Sequence, residues 1–216
     1  MPSRSSLLLS LIVLTFLIPV LGTGDPAMGA LQISEILADP ASDWNGDGEV
    51  HYRDDEWIEV INTGPENVDL SAYYLRDALG DEPHYNLSGT LAPGESAVFY
   101  GSDAVVWQQA HGIGVTGFSL NNGGDTVELL REEPGSPELV RVDIYIYLEH
   151  ETVDDRASGR LPVTGEWALF DGLNPYDGDR PPWSTGCFPT PGVPNDCVPN
   201  VPNQSATWGY LKVDYR

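Results

Sequence analysis

Glycine and proline punctuate this chain too often for long helices to survive. There are 23 Gly and 18 Pro among 216 residues, and each is costly in a helix interior. The apolar pattern between them has period two, the spacing of a strand. It is clearest over Leu139–Leu148, where Val140, Val142, Ile144, Ile146 and Leu148 line one face. Arg141, Asp143, Tyr145 and Tyr147 line the other. Further strands are expected at Leu31–Leu37, Trp57–Asn62, 73–77, Ser96–Tyr100 and 125–131. Turn signals separate them at 62–65, 92–95 and 121–124, each rich in Asn, Pro or Gly. One short helical turn fits at 103–110, packed through Val106 and Trp107. Short strands at this spacing indicate an all-β fold, an antiparallel β-sandwich with long surface loops.

The chain opens with Arg4 and an apolar run from Leu7 to Leu21, followed by Gly22. Val20, Leu21 and Gly22 fit the small-residue pattern of a signal-peptidase site. The alternative is a membrane anchor, but the run falls short of the roughly 20 apolar residues that a span needs. Residues 1–22 are therefore read as a signal peptide and 23–197 as one domain, with no stable membrane span after cleavage. A secreted or cell-surface location follows. Cleavage removes Arg4 and leaves nine Lys and Arg against 33 acids. Such a surface repels phosphate backbones, which argues against nucleic acid as a partner. Solubility, or hydration in salty water, accounts for most of that charge; divalent cations account for another part.

The only cysteines, Cys187 and Cys197, flank a Pro- and Gly-rich stretch. In an exported chain this close pair reads as a disulfide, a staple contributing about 2–3 kcal/mol through the unfolded state. Between Leu169 and that pair, residues 171–185 show no period and read as a long surface loop. Residues 198–216 form a linker and a C-terminal tail holding Lys212, the only lysine. That tail is a docked strand or a sorting signal.

The stretch 43–54 has the spacing of an EF-hand or dockerin-like calcium loop. Side-chain oxygens come from Asp43, Asn45 and Asp47 at positions one, three and five, Gly48 supplies the turn at six, and Asp54 closes at twelve. Glu49 would offer its backbone carbonyl, His51 a water-mediated contact or none, and Val50 would face inward. Asp55 could substitute for Asp54. Ca2+ is the cofactor this spacing implies, bound weakly, at about 10⁻⁴–10⁻³ M. An acidic, Gly-rich surface turn that binds nothing is the simpler alternative. Unlike the usual calcium loop it runs into a strand, Trp57–Asn62, rather than a helix.

Other chemistry is poorly represented. His51, His84, His111 and His150 sit in different segments, with no two at metal-ligand spacing. No Gly-x-Ser-x-Gly, phosphate loop or dinucleotide fingerprint is present. Trp57 and Trp167 lie in strand-like contexts and read as core. Trp44 and Trp183 fall in loops, where exposed rings could stack on sugars or partner surfaces. Asn86 and Asn203 head glycosylation sequons, a weak signal.

Seven stretches in order resemble the bacterial lamin tail domain, an immunoglobulin-like sandwich. They are LQISEILADP at 31–40, DEWIEVINTG at 55–64, VDLSAYYLRD at 68–77, LAPGE at 91–95, LNNGGDTVELL at 120–130, SGR at 158–160 and PTPGVPN at 189–195. The resemblance implies an immunoglobulin-like, non-enzymatic module, with an acidic calcium-binding insertion between the first two strands. Its expected partner is an extracellular or surface protein, or a glycan. A carbohydrate-binding module and an accessory to an exported hydrolase are the alternative functions.

Overall fold

The computed structural model describes residues 31–77 and 82–197. The stretch read from sequence as a signal peptide, 1–22, and the tail at 198–216 lie outside them. Among the described residues eleven strands and one α-helix follow in order, with 3-10 turns at Leu70–Ala72 and Glu149–Glu151: β1 (Leu31–Leu37), β2 (Trp57–Asn62), β3 (Val68–Asp69), β4 (Tyr73–Arg76), β5 (Tyr85–Asn86), β6 (Thr90–Leu91) and β7 (Ser96–Tyr100) come first. The helix α1 (Gly101–His111) precedes β8 (Gly124–Glu132), β9 (Leu139–Leu148), β10 (Ala157–Arg160) and β11 (Trp167–Phe170). One sheet runs β11-β10-β1-β2-β7 and the other β5-β4-β8-β9, with β3 and β6 as a separate pair. Every ladder is antiparallel. Among the described residues no helix is long and apolar enough to cross a membrane.

The core lies between the two sheets, where Ile33, Ile36, Ile58 and Val60 meet Leu75, Val127, Leu129 and Tyr147. The five-stranded sheet is covered on its outer face as well. There Leu37, Trp57, Ala168 and Phe170 form a second cluster, with Trp44 and Cys197 packed against it. Burial on both faces explains why β2 is buried nearly throughout, without a polar, solvent-facing side. Residues 171–185, read from sequence as a surface loop, fold back onto β11. The Asp171 carboxylate accepts from the amides of Tyr176, Thr185 and Gly186 at 2.7, 3.2 and 2.9 Å.

The turn chemistry follows the sequence closely. Asn62 caps its own turn, accepting from the Gly64 amide at 2.9 Å and donating to the carbonyls of Glu66 and Leu91. Asp69 accepts from the Ser71 amide at 3.0 Å and sets the bend into β4. The helix departs from expectation. It packs through Ala104 and Gln108, and the expected Trp107 is half-buried with its ring edge-on to Tyr85 at 6.3 Å, but Val106 is 66% exposed. Gln108 is buried because it serves the following loop, accepting from the amides of Thr116 and Gly117 and donating to the carbonyl of Gly117.

β9 differs more sharply. An unbroken strand would bury its five aliphatic residues on one face, yet Tyr145 and Tyr147 are buried while Ile146 and Leu148 are 61% and 48% exposed. The cause is a bulge: Leu129 pairs with Asp143 and Leu130 with Arg141, so Val142 has no partner of its own. One extra residue inverts the alternation beyond it. Val142, the bulged residue, packs on the core, and the tyrosines take that face after it. The Tyr145 ring stacks on Trp167 at 3.5 Å, and its hydroxyl donates to Glu151 at 2.5 Å. In urea unfolding, Ile146→Thr should leave stability within about 0.5 kcal/mol, whereas Tyr147→Ala should lower it by about 3 kcal/mol or more. The reverse order would place the strand in the unbulged phase.

Candidate functional site

The loop between β1 and β2 is built from short polar residues that bond to their own backbone. Asp43 accepts from three successive amides, those of Gly46, Asp47 and Gly48, at 2.8, 3.1 and 2.9 Å. Asn45 accepts from Asp47, and Asp47 from Glu49. Gly46 and Gly48 take φ angles of +76° and +94°, so the sharp turn expected at Gly48 is present. Asp43, Asn45 and Asp47 are thus brought into one coil of chain.

Asp54 is directed elsewhere, with its Oδ1 lying 3.3 Å from His51 Nδ1 and its amide pointing at the same nitrogen. Among the described residues no three His, Cys, Asp or Glu side chains gather into a group that could hold a metal. Val50, expected to face inward, is exposed. Residues 51–55 form a tight turn closed by the Asp55 amide on the His51 carbonyl at 3.2 Å, which leaves Val50 on the outside of the bend.

Two buried aspartates hold this loop to the sandwich. Asp55 accepts from the amides of Trp44 and Asn45 through one oxygen and from His51 through the other, at 2.8, 3.0 and 2.7 Å. Asp155, reached from the far side of the chain, accepts from Ala41, Ser42 and the Trp44 indole N–H at 2.8, 3.0 and 2.7 Å. Its φ of +57° belongs to the left-handed region that Asp tolerates better than most residues. Neither role shows in the sequence. Asp55 is hidden by its neighbour Asp54, and Asp155 lies more than 100 residues from its partners. At the loop's far end the Ser102 amide bonds to Asp54 O, and Gly101 approaches the Arg53 carbonyl so closely that a side chain would collide with it.

The Trp44 ring is half-buried against Trp57, centroids 6.0 Å apart, with its N–H committed to Asp155. Trp183 is 57% exposed, next to Pro182. The histidines are less scattered than the sequence suggests. His84 and His111 both line an open groove with Trp107 and Ile113, although His111 Nδ1 already lies 2.7 Å from the Trp107 carbonyl. The expected disulfide is present, joining Cys187 to Cys197 with Cα atoms 5.8 Å apart.

Two antiparallel sheets packed face to face, joined by long loops fixed to buried side chains, define an immunoglobulin-like β-sandwich. The chain belongs to the lamin tail domain family, whose pattern it matches over residues 25–147. That match takes in the acidic loop and most of β9; β10, β11 and the disulfide lie beyond it. The family is one of non-catalytic immunoglobulin-like modules. No curated protein matches the chain.

Asp55→Ala should strip three amides of their acceptor and cost about 3 kcal/mol or more in urea unfolding. Hydrogen exchange should then speed up at Trp44, Asn45 and His51. Unchanged exchange at those amides would mean that the loop holds its shape without Asp55.

Proposed function

We propose that this chain is an exported, non-enzymatic binding and structural module whose 43–54 loop takes up Ca2+ outside the cell or at its surface. The observation that carries this reading is the Asp43 carboxylate drawn over three successive amides, followed by Asn45 and Asp47 in the same coil. Such a coil aims alternate side-chain oxygens toward one centre. Calcium would draw Asp54 away from His51 and recruit the Glu49 carbonyl, with Asp43, Asn45 and Asp47 completing the oxygen set. Asp55 stays with the backbone, so it is a brace of the loop and not a ligand. The loop joins two strands, with no helix pair to swing apart, so the metal acts here as a staple and not as a switch.

The partner on this reading is a surface or extracellular protein. Calcium added to chelator-treated protein at about ten times its dissociation constant should stabilise it by about 1.4 kcal/mol. The Trp44 fluorescence should change in parallel, and Asp43→Ala should abolish both responses. A melting temperature and an emission spectrum both indifferent to calcium would remove the metal from this reading.

A glycan partner is the second reading, favoured by the open Trp183 ring beside Pro181 and Pro182. It predicts retardation in a polysaccharide affinity gel that Trp183→Ala abolishes; equal migration of both proteins in every glycan tried would leave the protein partner.

A further inference from the structure

Residues 189–195 cross the outer face of the five-stranded sheet without forming a strand, and two glutamates hold them there. Glu35 and Glu59 are directly opposite in the β1–β2 ladder, so they project side by side on the face that carries Leu37 and Trp57. Both are buried. Glu35 accepts from the Thr190 amide at 3.0 Å and lies 2.6 Å from the Thr190 hydroxyl. Glu59 accepts from the Gly192 amide at 2.8 Å and from the Ser34 hydroxyl at 2.6 Å.

The Thr190 hydroxyl also lies 3.1 Å from Oδ1 of Asn195. Asn195 in turn donates to the carbonyls of Ser34 and Arg160 at 3.0 and 3.2 Å. A hydroxyl has one proton to give. With Glu35 ionised, Thr190 must donate to it, and Asn195 Oδ1 loses that donor. With Glu35 protonated, the carboxyl donates to Thr190 and Thr190 donates onward to Asn195, so the whole row is satisfied.

The surrounding charges favour the protonated form. β1 and β2 contribute no ionisable group beyond the two glutamates, and β7 contributes Tyr100, whose phenol is raised in pKa mainly by burial and less by the acids around it, Glu59 among them. Arg160 of β10 is committed to Asp143 at 2.9 Å and to the Ile33 carbonyl. Residues 189–195 carry no ionisable side chain, and Asp196 beyond them is exposed. Burial, helped by the facing Glu59, pushes the Glu35 carboxyl up to about 8 against the amide and hydroxyl of Thr190. Burial raises Glu59 as well.

We propose that residues 189–195 form a proton-gated strap: protonated Glu35, relayed through Thr190 to Asn195, clasps it to the sheet, and loss of that proton releases it. Release uncovers the cavity of about 180 Å³ that Ser34, Glu59 and Ser96 share with Pro194 and Asn195. The Cys187–Cys197 bridge spans the strap, so the released segment stays tethered and can close again. The clasped state binds the proton more tightly than an open one. The clasp is therefore complete below the ordinary carboxyl value of 4.5 and weakens as pH rises through about 8.

Hydrogen exchange of the full, disulfide-intact chain tests this, with each amide corrected for its intrinsic pH dependence. Protection at Thr190 and Gly192 should fall about tenfold per pH unit between roughly 5 and 8 and then level off. The β8 amides of Val127 and Leu129 should hold. In Glu35→Gln the strap profile should be flat. Thr190→Val should lose about tenfold protection at pH 5, and Thr190→Ser should keep it. A pH-independent strap in the wild type, or a fall that persists in Glu35→Gln, overturns the proton gate. Should that variant fail to fold, the wild-type profile decides, because equal loss at strap and β8 amides means global opening. Full protection in Thr190→Val overturns the relay.

Discussion

Long loops lying against a protein body carry amide protons with no ladder partner, and every buried one needs an acceptor. Here buried carboxyl groups supply them. A carboxylate offers about four lone-pair sites, so one side chain can hold several turns of irregular backbone. Asp55 and Asp155 do so for the acidic loop, Asp171 for the segment after β11, and Glu35 and Glu59 for the strap. Glu56 accepts from the Leu120 amide and anchors the approach to β8. Only with these loops fixed is the outer face of the five-stranded sheet covered, and only then is Trp57 fully buried. The second core cluster therefore depends on polar anchors placed around its edge.

The strands were legible because period-two patterning and turn residues act over a few positions. β1, β2, β7 and β9 have the limits read from the sequence, and Asn62 caps the turn expected at 62–65. Five short strands are not legible: β3, β5 and β6 have two residues each, too few to show a period, the SGR of β10 has no apolar alternation, and β11 shows only as a strand-like context around Trp167. The Val142 bulge was invisible for a different reason. It is a property of the pairing with β8, not of β9 alone. The acidic loop was legible as a coil of Asp, Asn and Gly, but its braces were not, since Asp155 is distant in sequence and Asp55 differs from Asp54 only in the direction its side chain takes.

The count of acids overstates the charge that a partner meets. Burial lifts Glu35 to about 8 and Glu56 to about 9, so both are neutral near pH 7. Glu128 is held the other way: arginine hydrogen bonds from Arg141 and Arg76 outweigh its burial and keep it ionised. The negative surface is thus concentrated in the loops, at Asp43, Asp47, Glu49 and the 132–138 turn, while the sheets carry acids as internal fixtures. A cation or a basic partner approaching this domain would meet its charge at the loop ends.

The bulge in β9 gives the strand two halves that are in phase with the core independently of one another. Deleting the residue at Val142 would turn every side chain from Asp143 to Leu148 over, bringing Ile144, Ile146 and Leu148 inward and presenting Tyr145 and Tyr147 to solvent. Both faces of that half can be buried, one aliphatic and one aromatic. A length change of one residue here would be read out as an exchange of surfaces, leaving a sandwich of the same strand order with a different outer skin.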